Sequence, residues 1–261
     1  MTSRRLLAAL GSGAAVGTLG GLIGLGGAEF RLPLLIGLFG FGALQAVILN
    51  KAMSLVVVAA SLPFRAASVP FANIVERWDV IATLLAGSLA GAWLGAGWAT
   101  RMKSRTLYRV LAVLLIAIAA VLLWGHEPNS GAQVLVGKWL VVVGTIVGFG
   151  IGVVASLMGV AGGELLIPTI VLLFGADIKL AGSLSLAVSL PTMVVGFTRY
   201  SRDQSFAVIR AERRFLVAMA VGSLFGAFLG GRLLGIVPAG VLLPLLAAVL
   251  VVSAAKVWRH A

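Results

Sequence analysis

Long apolar runs, separated by short stretches that carry most of the charge, divide the chain into ten segments. Eight of them, residues 6–25, 43–64, 80–99, 107–124, 139–158, 180–197, 215–234 and 239–258, contain 18–22 residues. About 20 helical residues cross the hydrocarbon core of a bilayer, so each of these predicts a transmembrane helix. The other two, residues 32–41 and 165–174, contain ten residues each. Ten helical residues rise only about 15 Å, half the core. Each short piece therefore predicts one limb of a re-entrant or broken helix, with its glycine-rich loop at membrane depth. Non-helical backbone survives there only if it is buried in protein or lines a cavity.

The second half of the chain repeats the first at an offset of 135 residues. Gly24-Leu-Gly-Gly-Ala-Glu-Phe-Arg-Leu-Pro33 returns as Gly159-Val-Ala-Gly-Gly-Glu-Leu-Leu-Ile-Pro168. Gly87-Ser-Leu-Ala-Gly-Ala-Trp-Leu-Gly95 returns as Gly222-Ser-Leu-Phe-Gly-Ala-Phe-Leu-Gly230, identical at seven of nine positions. The pattern predicts an all-α polytopic membrane protein made of two inverted structural repeats, each a broken or re-entrant helix plus three transmembrane helices. Residues 1–125 form the first membrane repeat, 126–137 a linker and 138–261 the second. Two related halves, each with a glycine-rich break bearing a carboxylate, have the layout of a secondary transporter. The small-xxx-small spacing of Gly87, Gly91 and Gly95, and of Gly222, Gly226 and Gly230, predicts close helix packing where the halves meet.

Composition agrees with a lipid solvent: 61% of residues are hydrophobic, 11% are charged, and the mean hydropathy is +1.13. Such a chain lacks the polar surface of a soluble domain. The absence of cysteine excludes disulfides, thiolate metal sites and cysteine nucleophiles. A net charge of +12 would suit nucleic acid, but the charges lie in loops, where topology explains them better. With three full crossings per half, Arg4, Arg5, Arg101, Lys103, Arg105, Arg109, Arg199, Arg202, Arg210, Arg213, Arg214, Lys256 and Arg259 share one side. Arg65, Arg77, Lys138 and Arg232 lie on the other. The positive-inside rule then places both termini in the cytoplasm. Four plain spans per half would put the two richest basic loops on opposite sides. Trp78, Trp98, Trp124, Trp139 and Trp258 lie near span ends, as in an interfacial belt. The basic, then apolar, start of the chain resembles a secretory or twin-arginine signal. Its run continues into the repeated break, so it reads as a retained helix.

Candidate chemistry concentrates at the two breaks and on the helices after them. Glu29 and Glu164 occupy equivalent positions, whereas Arg31 faces Leu166 in the alignment, so the site is asymmetric. Asn50, Lys51 and Ser54 align with Ser185, Leu186 and Ser189. A charge at the bilayer centre costs on the order of 3 kcal/mol or more and is normally paired or faces water. Glu29, Arg31 and Lys51 are expected to neutralise one another and still leave a positive pocket. N–H groups after Gly27 and Ala28, and after Gly162 and Gly163, add a positive field suited to a small oxyanion. Hydroxyls of Ser54, Ser183, Ser185 and Ser189 would complete its coordination. Plainer readings stand beside these. The glutamates cap the short helices, Lys51 snorkels to the interface, and the serines bond back within their helices. Pro33 and Pro168 read as helix-start residues.

The paired Gly-x-x-Gly-x-Glu-x-x-x-Pro breaks, each followed by Phe-Gly, together with the chain length, resemble the TauE/SafE family of sulfite exporters. The resemblance covers essentially the whole chain. The motif positions are Gly24, Gly27, Glu29 and Pro33, then Gly159, Gly162, Glu164 and Pro168, with Ala28 and Ala161 departing from the more usual glycine. It implies a multi-pass inner-membrane protein that moves sulfite, sulfonates or related organosulfur anions, generally outward. Apart from the resemblance, the expected coupling ion is a proton, carried on Glu29 or Glu164, or a sodium ion. A passive anion channel, or a cation transporter using Glu29 and Glu164, are the alternatives. No Walker-type phosphate loop appears, His126 and His260 lie outside the spans, and no nucleophile–base pair or metal cluster is evident. The chain thus reads as a transporter and not an enzyme, with no cofactor, and with the lipid bilayer rather than nucleic acid as its partner.

Overall fold

A computed structural model of the chain describes residues 3–23, 27–66, 71–124, 137–233 and 239–260. Every regular element among them is helical: α1 (Ser3–Ile23), α2 (Ala28–Gly37), α3 (Ala43–Ala66), α4 (Phe71–Glu76), α5 (Trp78–Arg101), α6 (Ser104–Trp124), α7 (Lys138–Met158), α8 (Gly163–Phe174), α9 (Ile178–Tyr200), α10 (Val208–Ala211), α11 (Arg213–Leu233) and α12 (Ala239–Trp258). The ten predicted segments coincide with all of these except α4 and α10, which bury almost nothing. With the 3-10 turn Gln204–Ala207, α10 forms a connector started by Asp203, which accepts from the Ser205 N–H at 2.8 Å. The expected linker, residues 126–137, lies outside the described residues apart from Gly137.

Among the described residues, five helices are long and apolar enough to cross a bilayer: Ala43–Ala60, Trp78–Arg101, Lys138–Met158, Leu180–Tyr200 and Arg213–Gly230. Helices α1, α6 and α12, of 21, 21 and 20 residues, have similar length. Trp78, Trp98, Trp139 and Trp258 are all exposed. Each lies within four residues of a helix end, and the side chain of Trp124 lies outside the described residues.

The short helices start earlier than the apolar runs predict. Gly27 (φ 71°) and Gly162 (φ 81°) take the left-handed conformation, which glycine adopts without a side-chain clash, and each begins a helix at the next residue. Pro33 and Pro168 are thus the sixth residues of α2 and α8, not first-turn residues. A proline there offers no N–H to the carbonyl four residues earlier. In both helices that carbonyl belongs to the motif glutamate, Glu29 or Glu164.

Each short helix doubles back on the long helix before it. Gly27 lies against Val16 and Gly20 of α1, and Gly162 against Ile151 and Ala155 of α7, the same pair of positions at the offset of 135. Beyond α2, the Phe41 ring lies under the Arg5 guanidinium, 5.4 Å from its centroid. At the end of α8, the Phe174 carbonyl accepts from Arg77 at 3.0 Å. Both are hairpins, and Gly27 and Gly162, where the returning helices begin, are buried in the bundle.

The closest helix pairs are α1 with α11 and α5 with α7. A β-carbon at Gly13 or Gly17 would collide with the backbone of Met219 or Ser223. At the equivalent Gly148 and Gly152 it would collide with Leu84 and Ser88. Small residues let these backbones touch, where dispersion and lipid release stabilise association. Each half's glycine-rich helix therefore packs on the first helix of the other half, and the halves interlock. Helices α3 and α9, and α6 and α12, pair across the same relation. The basic helix ends gather at one end of the bundle: Arg5 pairs with Glu212 at 3.6 Å, Arg109 lies over Trp258, and Arg199 and Arg202 over Trp93.

Candidate functional site

Four charged side chains are buried in the described bundle: Glu29, Arg31 and Lys51 at 0% exposure and Glu164 at 4%. They come from α2, α3 and α8, where both hairpin tips meet the polar early turns of α3.

Arg31 is held by neutral acceptors. One terminal nitrogen donates to Asn50 Oδ1 and Ser54 Oγ, both at 3.3 Å, and the other donates to Ser223 Oγ of α11 at 3.2 Å. Its Nε–H is buried without a partner. Asn50 in turn donates to the Ala28 carbonyl at 3.0 Å and the Met158 carbonyl at 3.1 Å. One amide thus joins both breaks.

Lys51 does not snorkel. Its Nζ donates to the Ala155 carbonyl at 3.2 Å and lies 3.4 Å from Ser156 Oγ. Ser54 Oγ donates to the Gly159 carbonyl at 3.4 Å, and Tyr200 Oη to the Ser156 carbonyl at 2.8 Å. These acceptors belong to the last turn of α7 and its cap, where the helix has run out of its own donors and carries partial negative charge. Gly196 of α9 leaves the space: a β-carbon there would come within 2.8 Å of both Lys51 Cε and Ser156 Oγ.

The expected mutual neutralisation of Glu29, Arg31 and Lys51 is not what the structure has. The described ion pairs are Arg5–Glu212 and Arg77–Asp79, both peripheral. Arg31 reaches sideways to α3 and α11, and Lys51 reaches the end of α7, so neither forms an ion pair with a carboxylate, and Glu29 attracts Arg31 only at longer range. Nor does either carboxylate form a side-chain cap in this structure. Gly27 and Gly162 are the N-caps and no side chain completes them; all four carboxyl oxygens of Glu29 and Glu164 are buried without a hydrogen-bond partner. The two carboxyls instead lie within electrostatic contact of each other, with no well-formed hydrogen bond between them.

The second half brings its three expected serines together on α9. Ser185 bonds back to the Gly182 carbonyl of its own helix at 2.8 Å, the ordinary packing role. Ser183 and Ser189 are buried on α9 as well. The structure adds Ser156, Tyr200 and Ser223, which the sequence reading did not select. Ser223 lay in plain view inside the repeated Gly-Ser-Leu motif, and its counterpart Ser88 is also engaged, 2.8 Å from Thr192. Buried polar groups in a lipid-embedded bundle stay satisfied, so a serine inside a glycine stripe was the available signal.

Comparison with known families matches residues 9–257 to the family described as Sulfite exporter TauE/SafE. No curated protein and no solved structure matches the chain.

Proposed function

Since the chain belongs to the sulfite exporter TauE/SafE family of membrane transporters, we propose that it is a secondary transporter that exports sulfite, a sulfonate or a related organosulfur anion across the inner membrane. The halves act as inverted repeats, with both termini cytoplasmic. The substrate sits at mid-membrane between the hairpin tips, beside Arg31 and Lys51, and access alternates as the hairpins move against each other. Glu29 or Glu164 carries a coupling proton.

The observation that carries this reading is the placement of Arg31 and Lys51, two buried cations without carboxylate partners, where both breaks meet. A charge inside a membrane is expensive, and these two form no ion pair that would occupy them, so they stay available to an arriving anion. The full burial of Arg31, Asn50 and Lys51 suits the occluded stage of a carrier. The test is flux of labelled sulfite or sulfonate into proteoliposomes. Lys51→Ala and Glu29→Gln should each abolish it while the protein still elutes as a folded species. Wild-type rates in both variants would refute these roles, and single-channel conductance without counter-flow would replace the carrier by a pore.

A further inference from the structure

Among the described residues, Glu29 and Glu164 are the buried charged groups whose side chains make no hydrogen bond or ion pair. Both are more than nine-tenths buried, their four oxygens have no hydrogen-bond partner, and Arg31 Nε is bare in the same interior. Among the described residues, Arg31 of α2 and Lys51 of α3 are the cations of this interior, and the other buried titratable side chain nearby is Tyr200 of α9, held by the Ser156 carbonyl. The neighbouring parts of α7 and α11 bring the hydroxyls of Ser156 and Ser223 and no buried charge. Two carboxylates in contact away from water repel strongly, and one proton between them removes the conflict.

Charge matching then sets a stoichiometry. With the site open and hydrated, two carboxylates offset Arg31 and Lys51. When a singly charged anion arrives and the site closes, neutrality requires one negative charge fewer. We propose that Glu29 and Glu164 work as a single proton site, and that each monoanion bound beside Arg31 and Lys51 is accompanied by one proton taken from solution onto this carboxyl pair. This rests on the transport reading above and specifies its coupling. It also makes the site selective for singly charged oxyanions, since a dianion would leave the closed interior negative.

Isothermal titration calorimetry of the purified full-length protein tests it. Methanesulfonate, which stays singly charged throughout, and sulfite, corrected for its own titration, are each titrated in buffers of different ionisation enthalpy. The wild type should take up about one proton per anion, and its affinity should fall about tenfold per pH unit on the alkaline side. Glu29→Gln and Glu164→Gln each remove one negative charge in advance, so they should bind the anion without proton uptake and with affinity flat in pH. Binding by the wild type without proton uptake overturns the linkage and leaves the transport reading standing. Proton uptake in both variants equal to wild type also overturns it. Absence of binding by both anions overturns the transport reading and the linkage together.

Discussion

Gly27 holds a left-handed backbone (φ 71°) pressed against the main-chain carbonyl oxygen of Val16, and this contact folds α2 back along α1. Gly162 repeats the fold-back at the second hairpin, but its neighbours are the side chains Ala155 Cβ and Ile151 Cγ2, at 3.2 and 3.3 Å from where a β-carbon would lie. Equivalent glycines thus sit under different constraints. One faces rigid backbone and the other faces side chains.

That difference predicts unequal alanine variants. Both Gly27→Ala and Gly162→Ala force an L-residue into the left-handed region, at about 1–2 kcal/mol. Gly27→Ala adds a collision with the Val16 backbone oxygen, which cannot rotate away, so it should destabilise by about 1–3 kcal/mol more, or fail to fold. Gly162→Ala should fold, with modestly lowered stability. Thermal melting in detergent, monitored by size-exclusion chromatography, separates them, and equal stability would contradict the asymmetry.

Much of the architecture was legible in the sequence. The apolar runs located ten helices because lipid imposes length and hydropathy on every span. The offset of 135 located both breaks because only glycine suits their left-handed caps. Partner choice was not legible. Gly87 and Gly222 align, but nothing in the alignment states that each packs on the opposite half's first helix. Arg31 and Lys51 were expected to meet Glu29, yet long side chains take the acceptors that tertiary neighbours present, here Asn50, Ser54, Ser223 and the end of α7. Proline placement misled as well, since helix starts depend on cap geometry one turn upstream.

The helix interfaces supply a matched pair. A β-carbon at Gly152 would collide with the Ser88 backbone, whereas one at Gly150, two residues away on α7, meets nothing within 4 Å. Gly150→Ala should therefore be neutral, or stabilising by up to about 1 kcal/mol through helix propensity. Gly152→Ala should push α5 and α7 apart and lower stability by about 1–3 kcal/mol, as overpacking does. Melting temperatures of the two variants decide it, and similar values would show that the α5–α7 contact is looser than described.

Arg31 uses two terminal nitrogens to hold three acceptors on two helices. Arg31→Lys keeps the charge but offers one compact ammonium, which cannot span Asn50, Ser54 and Ser223 together. Each lost hydrogen bond to a charged group costs about 1.5–3 kcal/mol. Arg31→Lys should lose roughly that much, and Ser223→Ala, which removes a single acceptor, no more than that. The double variant should be less than additive, because both changes break the same bond. Additive losses in the full cycle would place Ser223 outside the Arg31 network.

Asn50→Asp separates the structural use of Arg31 from its proposed use in anion binding. The substitution keeps an oxygen 3.3 Å from the guanidinium but makes it a carboxylate, so Arg31 gains a hydrogen-bonded counter-charge that it now lacks. It also withdraws the N–H groups that reach the Ala28 and Met158 carbonyls, which loosens the joint between the two breaks. A site whose positive charge is cancelled by its own protein has less to offer an anion. Sulfite affinity should fall at least about tenfold, equivalent to about 1.4 kcal/mol. Asn50→Ser, which stays neutral while losing the same bridge, should weaken the fold comparably and retain more of the affinity. Thermal shift against increasing sulfite measures stability and binding in one titration, since a ligand of the folded state raises the melting temperature by mass action. If Asn50→Asp and Asn50→Ser bind sulfite equally well, the charge on Arg31 plays no part in holding the anion.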